Sequence, residues 1–360
     1  MTSDITLEQL EENPHPVLAE IRPLAWVPVL NGWLVTGREL ALQVMRDAET
    51  FTVDDPRFST GRVVGPSMLT RDGAEHARHR DPFAEPLRLK PTRERFAPLV
   101  ATEVDALIDG FEAHGRVELR RGFAGPLAAR VVALLLGLEA ADTAAMLDWY
   151  DAIVASVTGV AAGNEPTPAG ASAFDSLRDT VAPELGSSAD LSSDEVVSNA
   201  AVMMFGGIET TEGMIANLMW HVLTHVGGPV PDWPNAVEES LRMEPAAAVI
   251  DRYATRDVEL DGQQVRAGDF VEISLAGANR DPSFFPDPDT FDPSRENARH
   301  HVTFAHGPHV CIGMHLARLE AQTSAERLFE RLPGLRLDPE RPSAPRGLVF
   351  RKPPTLDVLW

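Results

Sequence analysis

The sequence predicts a mainly α-helical fold with a small β region, built as a single domain over residues 1–360. Three observations carry that expectation. Several long stretches place apolar residues at helical spacing, strand signals are confined to two short hairpin regions, and neither a flexible linker nor an internal repeat interrupts the chain. With 44% hydrophobic and 24% charged residues, the composition suits a large core and not a disordered chain.

Taken in order, residues 26–30 and 33–36 are β-rich runs joined by Asn31-Gly32, a strong hairpin signal. Helical periodicity then occupies residues 100–111, 127–138, 143–157, 194–226 and 235–242. Val258 and Leu260 lie before Asp261-Gly262 and Val265 after it, which predicts a second hairpin, followed by a strand over 270–275. A last helix covers 312–332. Loops are expected at 54–65, 162–171, 227–234 and 281–293, where Gly, Pro and Asp recur.

Charge and cysteine content exclude several classes of function. Asp and Glu number 54 against 32 Lys and Arg, a formal net charge of -22 that repels nucleic acid and an anionic membrane surface alike. The one cysteine, Cys311, permits no intramolecular disulfide. Residues 1–16 are acidic and broken by Pro14 and Pro16, unlike a signal peptide, and no window is apolar enough to span a bilayer. We therefore expect a soluble, cytoplasmic protein with neither a membrane nor nucleic acid among its partners. Only two lysines occur, Lys90 and Lys352, which reads as base-composition bias and not as chemistry.

The 194–226 helix has an internal defect. Ser192 and Glu195 have capping-box spacing, and apolar residues cover too much of the helix for one exposed face, so much of it should be buried. Its middle nevertheless reads Gly206-Gly207-Ile208-Glu209-Thr210-Thr211, where each glycine costs about 1 kcal/mol against alanine. A locally opened helix is expected there, with the Thr210 hydroxyl turned to a carbonyl one turn back. A glycine-mediated helix crossing with a solvated Glu209 is the other reading.

Cys311 lies in Phe304-Ala305-His306-Gly307-Pro308-His309-Val310-Cys311-Ile312-Gly313, just before a helix. Free N–H groups and the helix dipole favour a thiolate there, which is a good axial ligand for haem iron. Gly307 permits a tight turn, and Gly313 permits close approach of the backbone to a flat partner. On these residues alone, a small buried hydrophobe, a zinc ligand among the five histidines between His300 and His315, and a cysteine nucleophile all remain open.

Together these segments resemble the cytochrome P450 family. The haem-loop pattern Phe-x-x-Gly-x-x-x-Cys-x-Gly is matched at Phe304, Gly307, Cys311 and Gly313. The mid-helix Gly-x-Glu-Thr-Thr pattern is matched from Gly207 to Thr211, with Gly206 where alanine is usual. Glu239 and Arg242 form a Glu-x-x-Arg pair, His76 and Arg80 a His-x-x-x-Arg arrangement, and the Asn279–Pro282 and Phe291–Pro293 elements follow in order. The motifs span most of the chain.

The resemblance implies a P450 fold with a long central helix over haem b, iron protoporphyrin IX. It implies Cys311 as the metal ligand, with Phe304 beside it and Gly207, Gly307 and Gly313 at the cofactor. His76, Arg80, Arg252 and His309 would donate to the haem propionates, and Glu239, Arg242 and Arg295 would form a structural ion pair beneath. Glu209 and Thr210 would be catalytic, delivering protons for oxygen activation. The implied reaction inserts one atom of O2 into a hydrophobic or amphipathic small molecule, such as a secondary-metabolite intermediate, in a bacterial monomer. Electrons would come from ferredoxin and ferredoxin reductase, because the chain carries no flavin or nicotinamide motif. Residues 71–95 hold seven Lys and Arg against five acidic residues and would help dock an acidic ferredoxin.

A peroxygenase using hydrogen peroxide directly, and a non-catalytic haem-binding helper, are the alternatives. Both are disfavoured by the intact Glu209-Thr210 pair and Cys311. The chain also departs from the family in length. Only 30 positions separate Glu209 from Glu239, and the stretches 51–76 and 138–192 are brief, which predicts a more open distal face. Pocket walls are expected at 54–69, Met203, Gly206, Gly207, 247–250 and 348–350.

Overall fold

The computed structural model describes residues 4–138, 142–161, 164–185 and 190–360. Its organising element is the helix Ser193–His225, against which Gly125–Leu135, Pro168–Leu185, Trp233–Met243 and Met314–Arg331 pack. Ser192 caps the central helix as a capping box, its hydroxyl accepting from the Glu195 N–H at 3.3 Å while the Glu195 carboxylate accepts from the Ser192 N–H at 2.9 Å. Most of this helix is buried, from Val196 through Leu223, so its stability derives from packing on several sides and not from one amphipathic stripe.

The helix runs unbroken through Gly206–Thr211. The expected local opening does not occur. The expected turn of Thr210 is present all the same: its hydroxyl donates to the Gly206 carbonyl at 2.5 Å, a bond that fits within a continuous helix. Val222 accepts from Val226 and Gly227 at the C-terminal end, and only residues 226–232 connect this helix to Trp233–Met243.

A five-stranded sheet flanks the helices in the order Leu24–Val27, Gly32–Val35, Phe270–Ser274, Val249–Ala254, Phe51–Thr52. The pairing of Gly32–Val35 with Phe270–Ser274 is parallel and the others are antiparallel. The first hairpin is not a two-residue turn. Pro28 has no N–H for the ladder, Pro28–Leu30 form a 3-10 turn, and Asn31 takes the left-handed conformation at φ 49° before Gly32 pairs with Val27. The second hairpin, Val258–Leu260 with Gln263–Val265, does turn on Asp261 and Gly262 alone, both at positive φ. Within the expected 54–65 loop a short helix, Ser59–Val64, appears. The 162–171 loop lies partly outside the described residues, and its Pro168 instead begins a helix.

Candidate active site

The site lies between the central helix and the loop that precedes Met314–Arg331. One cavity is lined by Gly206, Gly207, Thr210, Arg80, His309 and Cys311, with further apolar walls from Met68, Leu69, Val132, Met203, Ala247 and Ile250. The expected wall at 348–350 is not part of it. Phe350 packs behind the wall in an edge-to-face contact with Phe205, and Leu348 lines a separate small crevice.

Local backbone geometry fixes the cysteine. The Cys311 N–H donates to the Phe304 carbonyl at 2.8 Å, and Gly307–His309 form a 3-10 turn. Gly307 sits at φ +74°, and a Cβ there would lie 2.5 Å from the Met45 carbonyl oxygen, so no other residue fits without a backbone shift. Gly313 has open space where a Cβ would point and lines the cavity. Phe304 is covered by a cation: the Arg318 guanidinium lies 4.5 Å from its ring centroid and is held by Glu238 at 2.7 Å.

Cys311 presents accessible surface to the cavity although protein surrounds it. Burial pushes its thiol up, while the Gly313 and Met314 N–H groups and the Arg80 and Arg318 charges pull toward the thiolate.

At one edge four basic side chains converge. Arg80 donates to the Val310 carbonyl at 2.7 Å, and the His76 and His309 rings are 4.4 Å apart. Arg252 is 4% exposed, and burial lowers its guanidinium to about 10, with the Asp72 and Asp251 charges opposing. Among the described residues, Asp72 is the one carboxylate hydrogen-bonded to any of the four, accepting from or facing His309 Nε2 at 2.7 Å. Burial opposes ionisation of Asp72, but the His309, Thr52 and Val53 donors outweigh it and hold the carboxyl at about 2. Sequence reasoning did not single out Asp72, which carries no motif of its own. His76 Nε2 is buried without a partner, and burial and the neighbouring His309 and Arg80 charges lower its ring to about 4.

These observations fit a haem. A thiol faces the cavity below backbone that a flat ring can approach, and an excess of buried donors, one of them orphaned, stands where two carboxylates would be welcome.

The two glycines of the central helix have separate reasons. A Cβ on Gly207 would meet Val132 Cγ2 at 2.6 Å, so this residue permits a close helix crossing, whereas a Cβ on Gly206 meets nothing within 4 Å and would enter the cavity. Thr210 lines the cavity. Glu209 does not: it is 5% exposed and its Oε1 lies 2.6 Å from Lys352 Nζ, on the side of the helix away from the cavity. Glu209 is thus neither solvated nor aimed inward in this arrangement, and the lysine assigned to base-composition bias is its ion-pair partner.

Beneath the cysteine loop, Glu239 and Arg242 are each 0% exposed and joined by a bidentate pair at 2.7 and 2.9 Å. Arg295 adds bonds of 3.0 and 3.1 Å to the same carboxylate and donates to the Pro286, Asp287 and Thr290 carbonyls.

The family model for cytochrome P450 matches residues 233–358. The chain is 34% identical over 358 residues to cytochrome P450 monooxygenase PikC of Streptomyces venezuelae, covering 91% of this chain and 85% of that protein. It is likewise 34% identical over 355 residues to 20-oxo-5-O-mycaminosyltylactone 23-monooxygenase of Streptomyces fradiae, covering 89% and 82%. Its fold matches the crystal structure of P450BioI in complex with hexadec-9Z-enoic acid ligated acyl carrier protein, with a TM-score of 0.87, 28% identity and coverage of 98% and 100%. From this site, this fold and these relatives, the chain belongs to the cytochrome P450 family of haem-dependent monooxygenases.

Proposed function

We propose that residues 1–360 form one catalytic domain that oxygenates a hydrophobic or amphipathic small molecule of bacterial secondary metabolism, with electrons from a ferredoxin and its reductase. The carrying observation is that Cys311 and Thr210 face one apolar-walled cavity from opposite elements, with a cluster of buried basic donors at its edge. When bound, the haem supplies the chemistry that divides O2 between substrate and water.

Cys311 holds the iron as a thiolate, favoured by the N–H groups of Gly313 and Met314. His76, Arg80, Arg252 and His309 hold the propionate carboxylates, and Glu239, Arg242 and Arg295 steady the loops beneath. Met203, Val132 and Ile250 exclude water and bind apolar substrate surface. Thr210 holds a proton on Oγ at the cavity wall, and Glu209 carries protons to it after turning inward from Lys352.

The docking surface is narrower than the basic count of residues 71–95 suggested. Arg71 is engaged by Asp54 at 2.7 Å, Arg78 by Glu195 at 2.6 Å, Arg80 by the Val310 carbonyl and Arg95 by the Leu134 carbonyl. Arg88, Lys90 and Arg93 remain exposed, with Leu89 at 46% exposure between them. This patch suits the acidic face of a ferredoxin.

The test pairs a spectrum with turnover. The reduced carbon monoxide complex should show a strongly red-shifted Soret band that is lost in Cys311→Ser; a histidine-type spectrum in the unaltered protein overturns the ligand assignment. Turnover with ferredoxin, reductase and NAD(P)H should exceed turnover with hydrogen peroxide alone, and charge reversal at Arg88 and Lys90 should weaken its salt dependence. Peroxide-only turnover or none overturns the electron-transfer reading.

A further inference from the structure

Behind the central helix, on the face away from the cavity, is a second buried charge cluster that the motifs do not name. Lys352 comes from the carboxy-terminal segment, where its backbone pairs with Arg346 and the preceding carbonyl of Arg351 accepts from Asn217 at 2.9 Å. Its stem crosses the helix at Gly213, where a Cβ would stand 3.5 Å from Lys352 Cδ and 2.9 Å from Ala246. The ammonium ends 2.6 Å from Glu209 Oε1 and 3.4 Å from Glu212 Oε1, and neither contact is aligned as a hydrogen bond. Glu212 is 0% exposed; Arg120 bonds its Oε1, while its Oε2 is buried without a hydrogen-bond partner and lies 3.7 Å from Arg121. Arg121 reaches Asp151 at the surface, 2.8 Å away.

We propose that Lys352 is a positioning residue for proton delivery, poised between two carboxylates one helical turn apart: it holds Glu209 away from the cavity and passes to Glu212 when Glu209 turns toward Thr210. The inference rests on the reading of Glu209 as a proton carrier. Three features support the exchange. The ammonium lies within ion-pair distance of both acids, closer to Glu209, and is aligned as a hydrogen-bond donor to neither. The Glu212 carboxylate already lies 3.4 Å from the ammonium at Oε1, and its other oxygen, Oε2, has no hydrogen-bond partner. The charge of Lys352 therefore stays compensated in both positions, so turning Glu209 inward does not strand a buried cation.

The proton balance is simple. Glu209 rests as a carboxylate against Lys352, takes a proton from a hydronium ion of bulk solvent, which becomes water, as it leaves the ammonium to Glu212, and gives up that O–H proton to the cavity side; the carboxylate left behind returns to Lys352. No electrons move in this step.

Having only two lysines makes the test direct. In protein labelled with 13Cε-lysine, studied as the diamagnetic reduced carbon monoxide complex, two lysine resonances are expected, and Lys90→Arg assigns them. The Lys352 resonance should shift in both Glu209→Gln and Glu212→Gln; insensitivity to Glu212→Gln overturns the exchange. In turnover, Lys352→Met should change the rate by roughly tenfold and alter the solvent hydrogen isotope effect, with partial recovery in Lys352→Arg. Altered thermal stability with an unchanged isotope effect would mean a merely structural lysine and also overturns the proposal. If Glu209→Gln itself leaves rate, coupling to product and isotope effect unchanged, the proton-carrier reading fails, whatever the lysine resonance does. Should Lys352→Met fail to fold, the resonance shifts in the two glutamate variants and the Lys352→Arg isotope effect decide the matter.

Discussion

Two buried charge clusters flank the cavity, and they are built on opposite plans. In the Glu239–Arg242–Arg295 cluster, both carboxylate oxygens are bonded and the guanidinium groups also donate to five backbone carbonyls, those of Asn279, Pro288 and Thr290 to Arg242 and of Pro286 and Asp287 among those to Arg295. In the Glu209–Lys352–Glu212 cluster, the ammonium has no aligned hydrogen bond and one carboxylate oxygen has no hydrogen-bond partner. Satisfied buried charge has one arrangement and acts as scaffold; unsatisfied buried charge has a second arrangement within reach. The closed cluster lies beside the loops beneath Cys311, and the open one lies behind Thr210.

The largest expected effect breaks the closed cluster. Arg242→Gln leaves Glu239 short of its bidentate partner and strands the carbonyls that Arg242 serves, for an expected loss of about 3–5 kcal/mol in denaturant unfolding of the haem-loaded protein. A loss no larger than that of a surface substitution would erase the distinction between the clusters.

A third acidic site extends the comparison, because among the described residues no cation is hydrogen-bonded to its carboxyl groups. Glu272 stands directly opposite Asp251 in the strand register, and its Oε2 is buried without a partner. Burial, and secondarily the Asp251 charge, push the Glu272 carboxyl up; burial also pushes Asp251 up, against the Arg252 charge. A carboxyl raised on folding stabilises the protein at acid pH and loses that contribution as pH rises through the ordinary carboxylate range and beyond. Glu272→Gln should therefore stabilise the protein by on the order of 2 kcal/mol at about pH 8 and have little effect near pH 5. Thermal unfolding at the two pH values checks this; equal effects at both would show that Glu272 does not titrate differently on folding.

The smallest effect sharpens the original contrast. Lys352→Met should cost about 1–2 kcal/mol, because Arg120 and Arg121 still face Glu212 and, on the proposed exchange, Glu209 can turn toward the cavity once its 2.6 Å partner is gone. A cost equal to that of Arg242→Gln would mean that the open cluster is as locked as the closed one.

What the sequence made legible follows the range of the interactions. The cysteine loop, the Ser192 capping box and the Asp261-Gly262 turn are local, so nearby residues encode them. Long central helices were legible because many turns repeat one pattern, while helices of six residues such as Leu7–Glu12 and strands of two such as Phe51–Thr52 offer too few. Gly207 and Gly206 look alike in sequence, and only the position of Val132 separates a packing glycine from a cavity glycine. Lys352 was wholly opaque. It meets Glu209 from far along the chain, through a contact that leaves no spacing to read.

The unequal settings of the two lysines have a practical consequence. Lys90 is 82% exposed on the basic patch, while Lys352 is 10% exposed behind the central helix. Amine-directed coupling chemistry on the folded protein will thus favour Lys90 over Lys352. A short crosslinker, a surface tether or a fluorescent reporter attached this way arrives next to Arg88 and Arg93, at the surface proposed above for the electron donor. The same selectivity makes a covalent trap for that encounter simple to build, and warns that random amine immobilisation would block it.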